Sequence, residues 1–315
     1  MALHPPTRPK PRKVFSNTRG KLYLGRCEDV LSLKTVKRLK GKVQLIFTSP
    51  PFPLNKKKRY GNHQGEAYLK WLSEFGPVFN EMLTDDGSVV MEIGNAWEPG
   101  SPVQSTLPYE ALLGFLNGGG FKLCQEITYY NPARLPSPAQ WVTIERCRLK
   151  DATTKIWWMS KTAKPKADNR NVLKPYSKEM LQLLKRKTYN AGTRPSEHII
   201  NETSFLKNNK GAIAPNLIIE PNTQWVSDYQ NFCKANDIQP HPARMPIKIP
   251  EFFIKFLTDP GDLVMDPFAG SNTTGEAANQ LKRKWLSIEA IPTYAAASVS
   301  RFNAKKAEKL LEQLK

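Results

Sequence analysis

The chain has 315 residues, of which 40% are hydrophobic, and its formal net charge at pH 7 is +19. This length allows one large α/β domain, or one such domain with a substantial insertion, and the excess of lysine and arginine favours a polyanionic partner over a small acidic substrate. A basic protein whose lysines are only solvated is the alternative. No apolar stretch is long enough to span a membrane, and the four cysteines are too widely spaced for a disulfide framework or a zinc site, so we expect free thiols and no metal.

Hydrophobic periodicity predicts alternating strands and helices over the first 130 residues. Residues 1–18 are basic and contain several prolines, and we expect them to form a flexible arm. The predicted elements that follow are, in chain order, a strand at 21–24, a helix at 28–40, a buried strand at 43–47, a helix at 66–83 kinked at Gly76–Pro77, a strand at 88–93, a helix at 109–116 and a strand at 121–130.

The periodicity weakens between Asn131 and about Pro240, where prolines, asparagines and basic residues alternate with aromatic ones. After this stretch the α/β pattern returns. The predicted elements there are a helix at 250–257, a strand at 263–265, a helix at 274–283, a strand at 285–288 and a basic helix from about 294. We therefore predict one doubly wound, Rossmann-like α/β sheet, with halves at 19–130 and 241–315, interrupted by a middle module at 131–240.

The glycine-rich run Asp266–Gly275 follows a predicted strand and opens a helix, which is where an α/β sheet binds a nucleotide-like ligand. An NTPase loop is disfavoured because Glu276 replaces the lysine of that motif, and a dinucleotide loop is disfavoured because Asn272 replaces its second glycine. What remains is a nucleoside without a pyrophosphate, and Glu289 has the spacing of a carboxylate that binds a ribose diol. S-adenosylmethionine fits this description. The alternative is a turn that only connects strand and helix, with Glu289 as a solvated strand end.

The run Ser49-Pro50-Pro51-Phe52 at the end of the strand 43–47 has the groups needed to bind an amine on an aromatic ring. Such an amine is a poor nucleophile because its lone pair is delocalised, so an enzyme that methylates it must hold both N–H hydrogens with well-placed acceptors. The Ser49 hydroxyl and the Pro50 carbonyl provide two acceptors, and Phe52 provides a stacking surface. No cysteine follows a proline, which separates this chemistry from ring-carbon methylation of cytosine.

A base amine is inaccessible inside a duplex, so the base must be flipped out and stacked between apolar or aromatic groups. Tyr129 and Tyr130 are candidates for this stacking, with ordinary core aromatics as the alternative. Glu92, at the end of a neighbouring strand, is placed to accept a hydrogen bond from Ser49. Its alternative is a surface carboxylate beside Gly94.

The order of these two loops along the chain resembles the β class of DNA amino-methyltransferases, in which the catalytic block precedes the cofactor block. A serine before the two prolines resembles the N4-cytosine branch of that class, whereas Asp or Asn is typical of the N6-adenine branch. Stretches between about Gly20 and Phe302 are similar to the PvuII-type cytosine-N4 methyltransferases. They are Thr48–Phe52, Lys57–Asn62, Asn131–Pro138, Trp157–Thr162, His241–Arg244 and Gly270–Gly275.

The resemblance implies the S-adenosylmethionine-dependent methyltransferase fold with a circularly permuted motif order. It implies that Ser49, Pro50, Pro51, Phe52 and Glu92 serve catalysis and that the middle module recognises the DNA target. The residues that it assigns to S-adenosylmethionine binding are Asp266, Phe268, Gly270, Ser271, Asn272, Thr273 and Glu289. One departure is that Gly25 precedes Arg26, where the family usually has an acidic residue that contacts the cofactor's adenine; Glu28 and Asp29 are candidates to replace it.

These observations predict a site-specific, cytosine-N4 DNA methyltransferase of a restriction–modification system. We expect a monomer in the cytoplasm of a bacterium or archaeon, associated with the nucleoid, with double-stranded DNA as substrate and a cognate restriction endonuclease as functional partner. The alternatives are adenine-N6 methylation with an unusual serine and an inactive DNA-binding protein that retains the fold.

Overall fold

A computed structural model describes residues 9–52, 63–223 and 227–314 of the chain. The stretch Lys57–Asn62, singled out above, lies outside the described residues. The strands are β1 (Arg12–Ser16), β2 (Gly20–Leu24), β3 (Val43–Thr48), β4 (Leu83–Ile93), β5 (Lys122–Tyr130), β6 (Thr153–Ser160), β7 (Gly192–Thr193), β8 (Ile199–Ile200), β9 (Leu217–Ile219), β10 (Leu263–Asp266) and β11 (Lys284–Glu289). Nine of these described strands form one mixed sheet in the order β1-β2-β11-β10-β3-β4-β6-β5-β9, and β7 and β8 form a separate hairpin.

Helices flank this sheet in the chain order of an α/β domain. They are α1 (Cys27–Leu31), α2 (Lys34–Lys37), α3 (Gly65–Ser73), α4 (Phe75–Met82), α5 (Leu107–Gly119), α6 (Lys178–Arg186), α7 (Asp228–Ala235), α8 (Lys248–Leu257), α9 (Thr273–Gln280), α10 (Pro292–Val299) and α11 (Ala304–Leu314), with a π-helix at Gln140–Ile144 and a 3₁₀ helix at Asn169–Val172.

Each face of the sheet has its own hydrophobic core because side chains alternate between the two faces of a strand. In β3, Leu45 and Phe47 pack with helices α7 to α11, whereas Ile46 between them packs with helices α1 to α5. All six residues of β3 are buried, which explains why its sequence is a continuous apolar run rather than an alternating one. The sheet is therefore covered by helices on both faces, as predicted.

The strand directions place the loops that matter at one edge of the sheet. Strands β2, β11, β10, β3 and β4 are parallel, and β6 is antiparallel to both of its neighbours, so β5 runs parallel to β4. From β10 the chain passes through α9 to β11 on one side, and from β3 it passes through α3 and α4 to β4 on the other. This reversal between β10 and β3 is a topological switch point, where the carboxyl ends of adjacent strands leave a crevice for ligands.

Three predicted helices are each divided in two, and one of them is the closing helix expected from about 294, which forms α10 and α11. The helix expected at 28–40 is interrupted at Leu33, whose backbone is extended, and Ser32 next to it donates its hydroxyl to the carbonyl of Asp29. The helix expected at 66–83 breaks at Glu74 rather than at Gly76–Pro77. Proline lacks an N–H and its ring crowds the carbonyl four residues earlier, so Pro77 ends the preceding helix at Ser73.

Two boundaries also differ from the prediction. The arm expected at residues 1–18 forms strand β1 in its second half, paired antiparallel with β2, and residues 1–8 lie outside the described part of the chain. The middle module expected at 131–240 is not continuous, because β6 lies in the main sheet between β4 and β5. Its residues Ile156 and Trp157 are fully buried there.

Residues 168–215 form a second compact unit. Within it, Ser177 caps α6 by accepting a hydrogen bond from the backbone N–H of Met180 (3.2 Å), and the ring of Tyr189 packs against that of Phe205. Lysine and arginine outnumber aspartate and glutamate in this unit by nine to four. Within the three described ranges, no helix is long and apolar enough to cross a membrane.

Candidate active site

The two predicted loops meet at the switch point through Thr48 and Asp266, the last residues of β3 and β10. The hydroxyl of Thr48 donates to Oδ1 of Asp266 (2.9 Å). The same carboxylate accepts hydrogen bonds from the backbone N–H of Phe268 (3.1 Å) and the hydroxyl of Thr274 (2.7 Å). Burial raises the pKa of Asp266 to about 6, although the three hydrogen bonds act to lower it. All of them lie within the protein, so Asp266 shapes the cofactor loop and joins it to the Ser49 loop.

Glu289, at the end of β11, holds the middle of the cofactor loop. Its Oε2 accepts the backbone N–H of Gly270 (2.7 Å) and its Oε1 accepts that of Ile291 (2.8 Å). Burial raises the pKa of Glu289 to about 7 despite these bonds. Each carboxylate oxygen has a second lone pair, so Glu289 retains the capacity to accept two hydroxyl groups of a ribose.

Gly270 must be glycine at this point of the loop. Its φ of +53° is left-handed, and a Cβ there would lie 3.1 Å from the imidazole of His241. That imidazole donates its Nδ1–H to the carbonyl of Ala243 (2.8 Å), and burial lowers its pKa, which favours the neutral ring. In the sequence, His241 stands out only as the first residue of the stretch His241–Arg244. In the structure, its ring lies against Gly270 of the cofactor loop.

Asn272 starts helix α9 from a left-handed conformation with φ of +57°. Its Oδ1 accepts hydrogen bonds from the backbone N–H of Gly275 (3.2 Å) and the hydroxyl of Ser287 (2.6 Å). Its Nδ2 is buried and has no hydrogen-bond partner within the described residues. A buried donor without a partner is costly, so this amide is available to a ligand of the loop.

Arg301, which follows α10, supports the same loop and could not be identified from the sequence. Its Nε donates to the carbonyl of Ser271 (2.6 Å), and its guanidinium also reaches the hydroxyl of Thr273 (3.4 Å). The charge of Arg301 is compensated by an ion pair with Glu276, and the guanidinium lies over the ring of Tyr229. Thirty residues separate Arg301 from the loop, and no local motif signals the contact.

The Ser49 loop lies beside the end of β4. Ser49 donates a hydrogen bond to the half-buried carboxylate of Glu92. Burial raises the pKa of Glu92 to about 7, while the Ser49 hydrogen bond and the positive charge of Arg134 act in the opposite direction. A carboxylate with a pKa near neutrality can gain or lose a proton during a reaction at physiological pH.

The remainder of the loop is well packed. Pro50 is buried, and Pro51 and Phe52 are half-buried. The ring of Phe52 lies against the backbone of Gly94, where an added Cβ would come within 2.5 Å of the ring atoms. Phe52 therefore has one face on the protein, and the run Ser49–Phe52 is held at both of its ends.

Tyr129 and Tyr130 occupy different environments. The ring of Tyr129 is 5% exposed and belongs to the core, and its hydroxyl donates to the carbonyl of Glu220 (3.0 Å). Burial, together with the charges of Glu92 and Glu220, raises its pKa to about 12. This environment is that of a structural aromatic residue, whereas Tyr130 is half-buried at the end of β5.

Phe268 of the cofactor loop joins an aromatic cluster with Trp71 and Phe75, at ring separations of 5.5 and 5.4 Å. The indole N–H of Trp71 donates to Oε1 of Glu28 (3.0 Å), and Arg26 donates to the same oxygen (3.0 Å). Glu28 is thus placed beside the cofactor loop, and Arg26 balances its charge.

These loop residues fit S-adenosylmethionine. The run Asp266–Gly275 contains no lysine or arginine, which suits a nucleoside without phosphates. The unpartnered Asn272 amide and the spare lone pairs of Glu289 supply polar contacts, and Phe268 supplies an aromatic surface.

The chain is similar in sequence and fold to known DNA methylases. The DNA methylase family model N6_N4_Mtase matches residues 43–300. The Type II methyltransferase M.PvuII of Proteus hauseri is 42% identical over 92% of this chain and 86% of its own length. The solved PvuII DNA methyltransferase (cytosine-N4-specific) has a TM-score of 0.76 and 35% identity, with 96% of this chain and 95% of that chain covered. TTHA0409 from Thermus thermophilus, complexed with S-adenosyl-L-methionine, shares the fold alone, with a TM-score of 0.53 and 18% identity over 92% of this chain and 94% of that one.

The doubly wound sheet with a glycine loop at its switch point, together with the similarity to M.PvuII and its solved structure, is that of an S-adenosylmethionine-dependent methyltransferase, which confirms the predicted fold class and cofactor. The family match covers more than half of the chain. This chain belongs to the N6/N4 DNA methylase family.

Proposed function

We propose that this enzyme transfers a methyl group to the N4 amino group of a cytosine extruded from duplex DNA, using Ser49, Pro50 and Glu92. The predicted activity, cytosine-N4 DNA methylation in a restriction–modification system, is borne out by the relation to M.PvuII. One observation carries the assignment of roles: the Ser49–Glu92 hydrogen bond lies at the sheet edge that holds the cofactor loop.

S-adenosylmethionine, when bound, supplies an electrophilic methyl group on a positively charged sulfur. Gly270, Ser271 and Asn272 form the turn that receives it, Glu289 accepts its ribose hydroxyls, and Phe268 covers its base. The Thr48–Asp266 hydrogen bond keeps this turn at a fixed distance from Ser49. Such a fixed arrangement lowers the entropic cost of bringing two reactants together.

Ser49 and Pro50 orient the amine. Because the Ser49 hydrogen is donated to Glu92, the oxygen lone pairs of Ser49 are left to accept an N–H from the base. The Pro50 carbonyl accepts the second N–H, and two consecutive prolines hold that carbonyl in place. With both N–H groups held, the nitrogen lone pair is directed out of the ring plane.

Glu92 completes the reaction by taking up a proton. The methylated nitrogen must lose one proton, which passes to the oxygen of Ser49 as the hydroxyl proton of Ser49 passes to Glu92. The pKa of Glu92, about 7, suits this acceptor role at neutral pH. Arg134 supports the ionised form of Glu92 beforehand.

The middle region, residues 131–240 apart from the buried strand β6, supplies the contacts that select the DNA site. The support is the basic composition of its compact unit at 168–215, since lysine and arginine provide most phosphate contacts and many base contacts. DNA affinity then falls with salt by about 0.9 log units per log unit of salt for each phosphate neutralised. The proposal includes a monomer that acts on a short duplex site and a cognate restriction endonuclease that cleaves the same site when it is unmethylated.

Mass spectrometry of nucleosides tests the activity. DNA incubated with the protein and S-adenosylmethionine should contain N4-methylcytosine, and DNA incubated with Ser49→Ala should contain far less. N6-methyladenine without N4-methylcytosine would contradict the assigned base. No methylated base at all, at saturating protein, would instead support an inactive DNA-binding protein.

A further inference from the structure

The loop that connects β5 to β6, residues 131–152, borders the active site. Because β5 runs parallel to β4, the carboxyl ends of both strands lie at the edge of the sheet that holds Ser49 and Glu92. The loop therefore starts where a flipped base would have to enter. Within this loop the side chain of Leu135 is 80% exposed.

Exposure of one leucine is ordinary on a protein surface and indicates nothing by itself. The position of Leu135 is informative because of its neighbour. Arg134 is half-buried, donates to the hydroxyl of the buried Thr154 (3.3 Å), and lies close enough to Glu92 to act on its charge. Leu135 thus projects outward directly beside a residue that faces the catalytic carboxylate.

The backbone around Leu135 is held in place. The N–H of Arg134 bonds to the carbonyl of Asn131 (3.2 Å) to form a turn, and the ammonium of Lys150 bonds to the carbonyl of Arg134 (3.2 Å). On the other side, the carbonyl of Ser137 accepts the N–H of Asp151 (3.0 Å). Because these hydrogen bonds hold the backbone, the side chain of Leu135 keeps its position when it contacts DNA.

We propose that Leu135 enters the DNA helix and occupies the space that the target cytosine leaves when it is flipped. This inference depends on the proposed function, since it requires a base to leave the stack. Proteins that unstack or extrude bases insert apolar side chains such as leucine, which restore contacts to the bases above and below the gap. Arg134 is then a positioning residue, because its side chain lies near Glu92 while its backbone holds the adjacent Leu135.

The test compares paired and unpaired targets. Sequencing of DNA from cells that express the wild-type enzyme gives the methylated site, and two synthetic duplexes carry it: one with the target cytosine paired, the other with an abasic position opposite it. Single-turnover rates are measured with tritiated S-adenosylmethionine for wild type, Leu135→Ala and Leu135→Met. Leu113→Ala, an exposed leucine of α5, is the matched control, and Leu149→Ala tests a rival exposed leucine of the same loop.

Leu135→Ala should slow methylation of the paired duplex about tenfold or more and that of the abasic duplex by about twofold at most, because the unpaired base is already easy to extrude. Leu135→Met and Leu113→Ala should stay near the wild-type rate on both duplexes. The proposal would be overturned if Leu135→Ala slowed methylation of both duplexes equally or of neither. It would also be overturned if Leu149→Ala, instead of Leu135→Ala, slowed methylation of the paired duplex only. If the wild type formed no N4-methylcytosine, the proposed function itself would be wrong. If the wild type is active and one of the contradicting results above is found, only the proposed role of Leu135 is wrong.

Discussion

Ser49 and Glu92 should behave as one catalytic unit in a double-mutant experiment. Ser49→Ala removes an acceptor for the base amine and also the hydrogen bond to the Glu92 carboxylate. Loss of one preorganised hydrogen-bonding group costs about 10²–10³ in kcat. Glu92→Gln keeps the shape and can still accept the Ser49 hydroxyl, but it cannot take up a proton, which costs about 10²–10⁴. Since both changes interrupt the same path, the double variant should be about as slow as the slower single variant.

The pH dependence separates the two roles. The Glu92 pKa is raised to about 7 by burial, and the ionised form is the one that accepts a proton, so the wild-type rate should fall about tenfold per pH unit below that value. Ser49→Ala removes an interaction that lowers this pKa, so the remaining activity should need a higher pH. Glu92→Gln should have no inflection from this group.

Rapid-quench measurement of labelled methyl transfer, with DNA and S-adenosylmethionine saturating, isolates the chemical step. Ser73→Ala is the matched control, because the hydroxyl of Ser73 donates only to the carbonyl of Lys70 (2.8 Å) in its own helix. DNA affinity, measured by fluorescence anisotropy, should be nearly unchanged in all variants. A wild-type rate for Ser49→Ala would exclude Ser49 from the reaction, and losses that multiply in the double variant would show that Ser49 and Glu92 act independently.

Three further predictions concern the cofactor loop and the buried carboxyl groups. Gly270→Ala should weaken S-adenosylmethionine binding at least about tenfold in calorimetry, because about 1.4 kcal/mol of strain is enough for a tenfold change. Gly114→Ala should bind normally, because a Cβ at that helical position would lie at an ordinary contact distance, 3.9 Å, from the Cβ of Ser73. Equal affinities for the two variants would contradict the tight approach at Gly270. Glu289→Ala should weaken the same binding by about 1.5–3 kcal/mol, the range for a hydrogen bond to a charged group, and an unchanged affinity would remove Glu289 from the ribose site. Burial raises the pKa of Asp266 to about 6 and the pKa values of Glu92 and Glu289 to about 7, so between about pH 4 and 7 these groups bind more protons in the folded state than in the unfolded state. The free energy of unfolding, measured by urea titration, should therefore be larger at pH 5 than at pH 8. The reverse order would contradict these pKa shifts.

The positions of both loops were predictable because each depends on a short run of sequence. A continuous apolar segment bounded by a turn forms a buried strand, so the ends of β3 and β10 could be located from Val43–Phe47 and Leu263–Met265 alone. The parallel alternation of strands and helices then places both ends at one edge of a sheet. No long-range information is needed for this part of the site.

The contacts that hold the loops together could not be predicted, because they join residues far apart in sequence. The Thr48–Asp266 hydrogen bond spans 218 positions, and the support of Ser271 by Arg301 follows no local pattern. The insertion of β6 between β4 and β5 is another such case, since pairing between strands depends on which faces remain to be buried.

Two errors came from local rules applied too simply. A helix with a proline is expected to bend at that proline. The ring of Pro77, however, crowds the carbonyl of Ser73, four residues earlier, so the helix is interrupted at Glu74. The basic composition of residues 1–18 suggested an arm, but Phe15 is buried in the core and Val14 packs against it, so Arg12–Ser16 pairs with β2. Charge describes the partners of a segment better than it describes its structure.

A crystal structure of the protein with S-adenosylhomocysteine and a duplex containing the methylated site would show where the target base binds. We expect a cytosine outside the helix, with its N4 atom about 2.6–3.2 Å from both the Ser49 hydroxyl oxygen and the Pro50 carbonyl, facing the cofactor sulfur. A cytosine bound elsewhere, or a Ser49 loop separated from the sulfur with no room for a pyrimidine between them, would contradict this expectation.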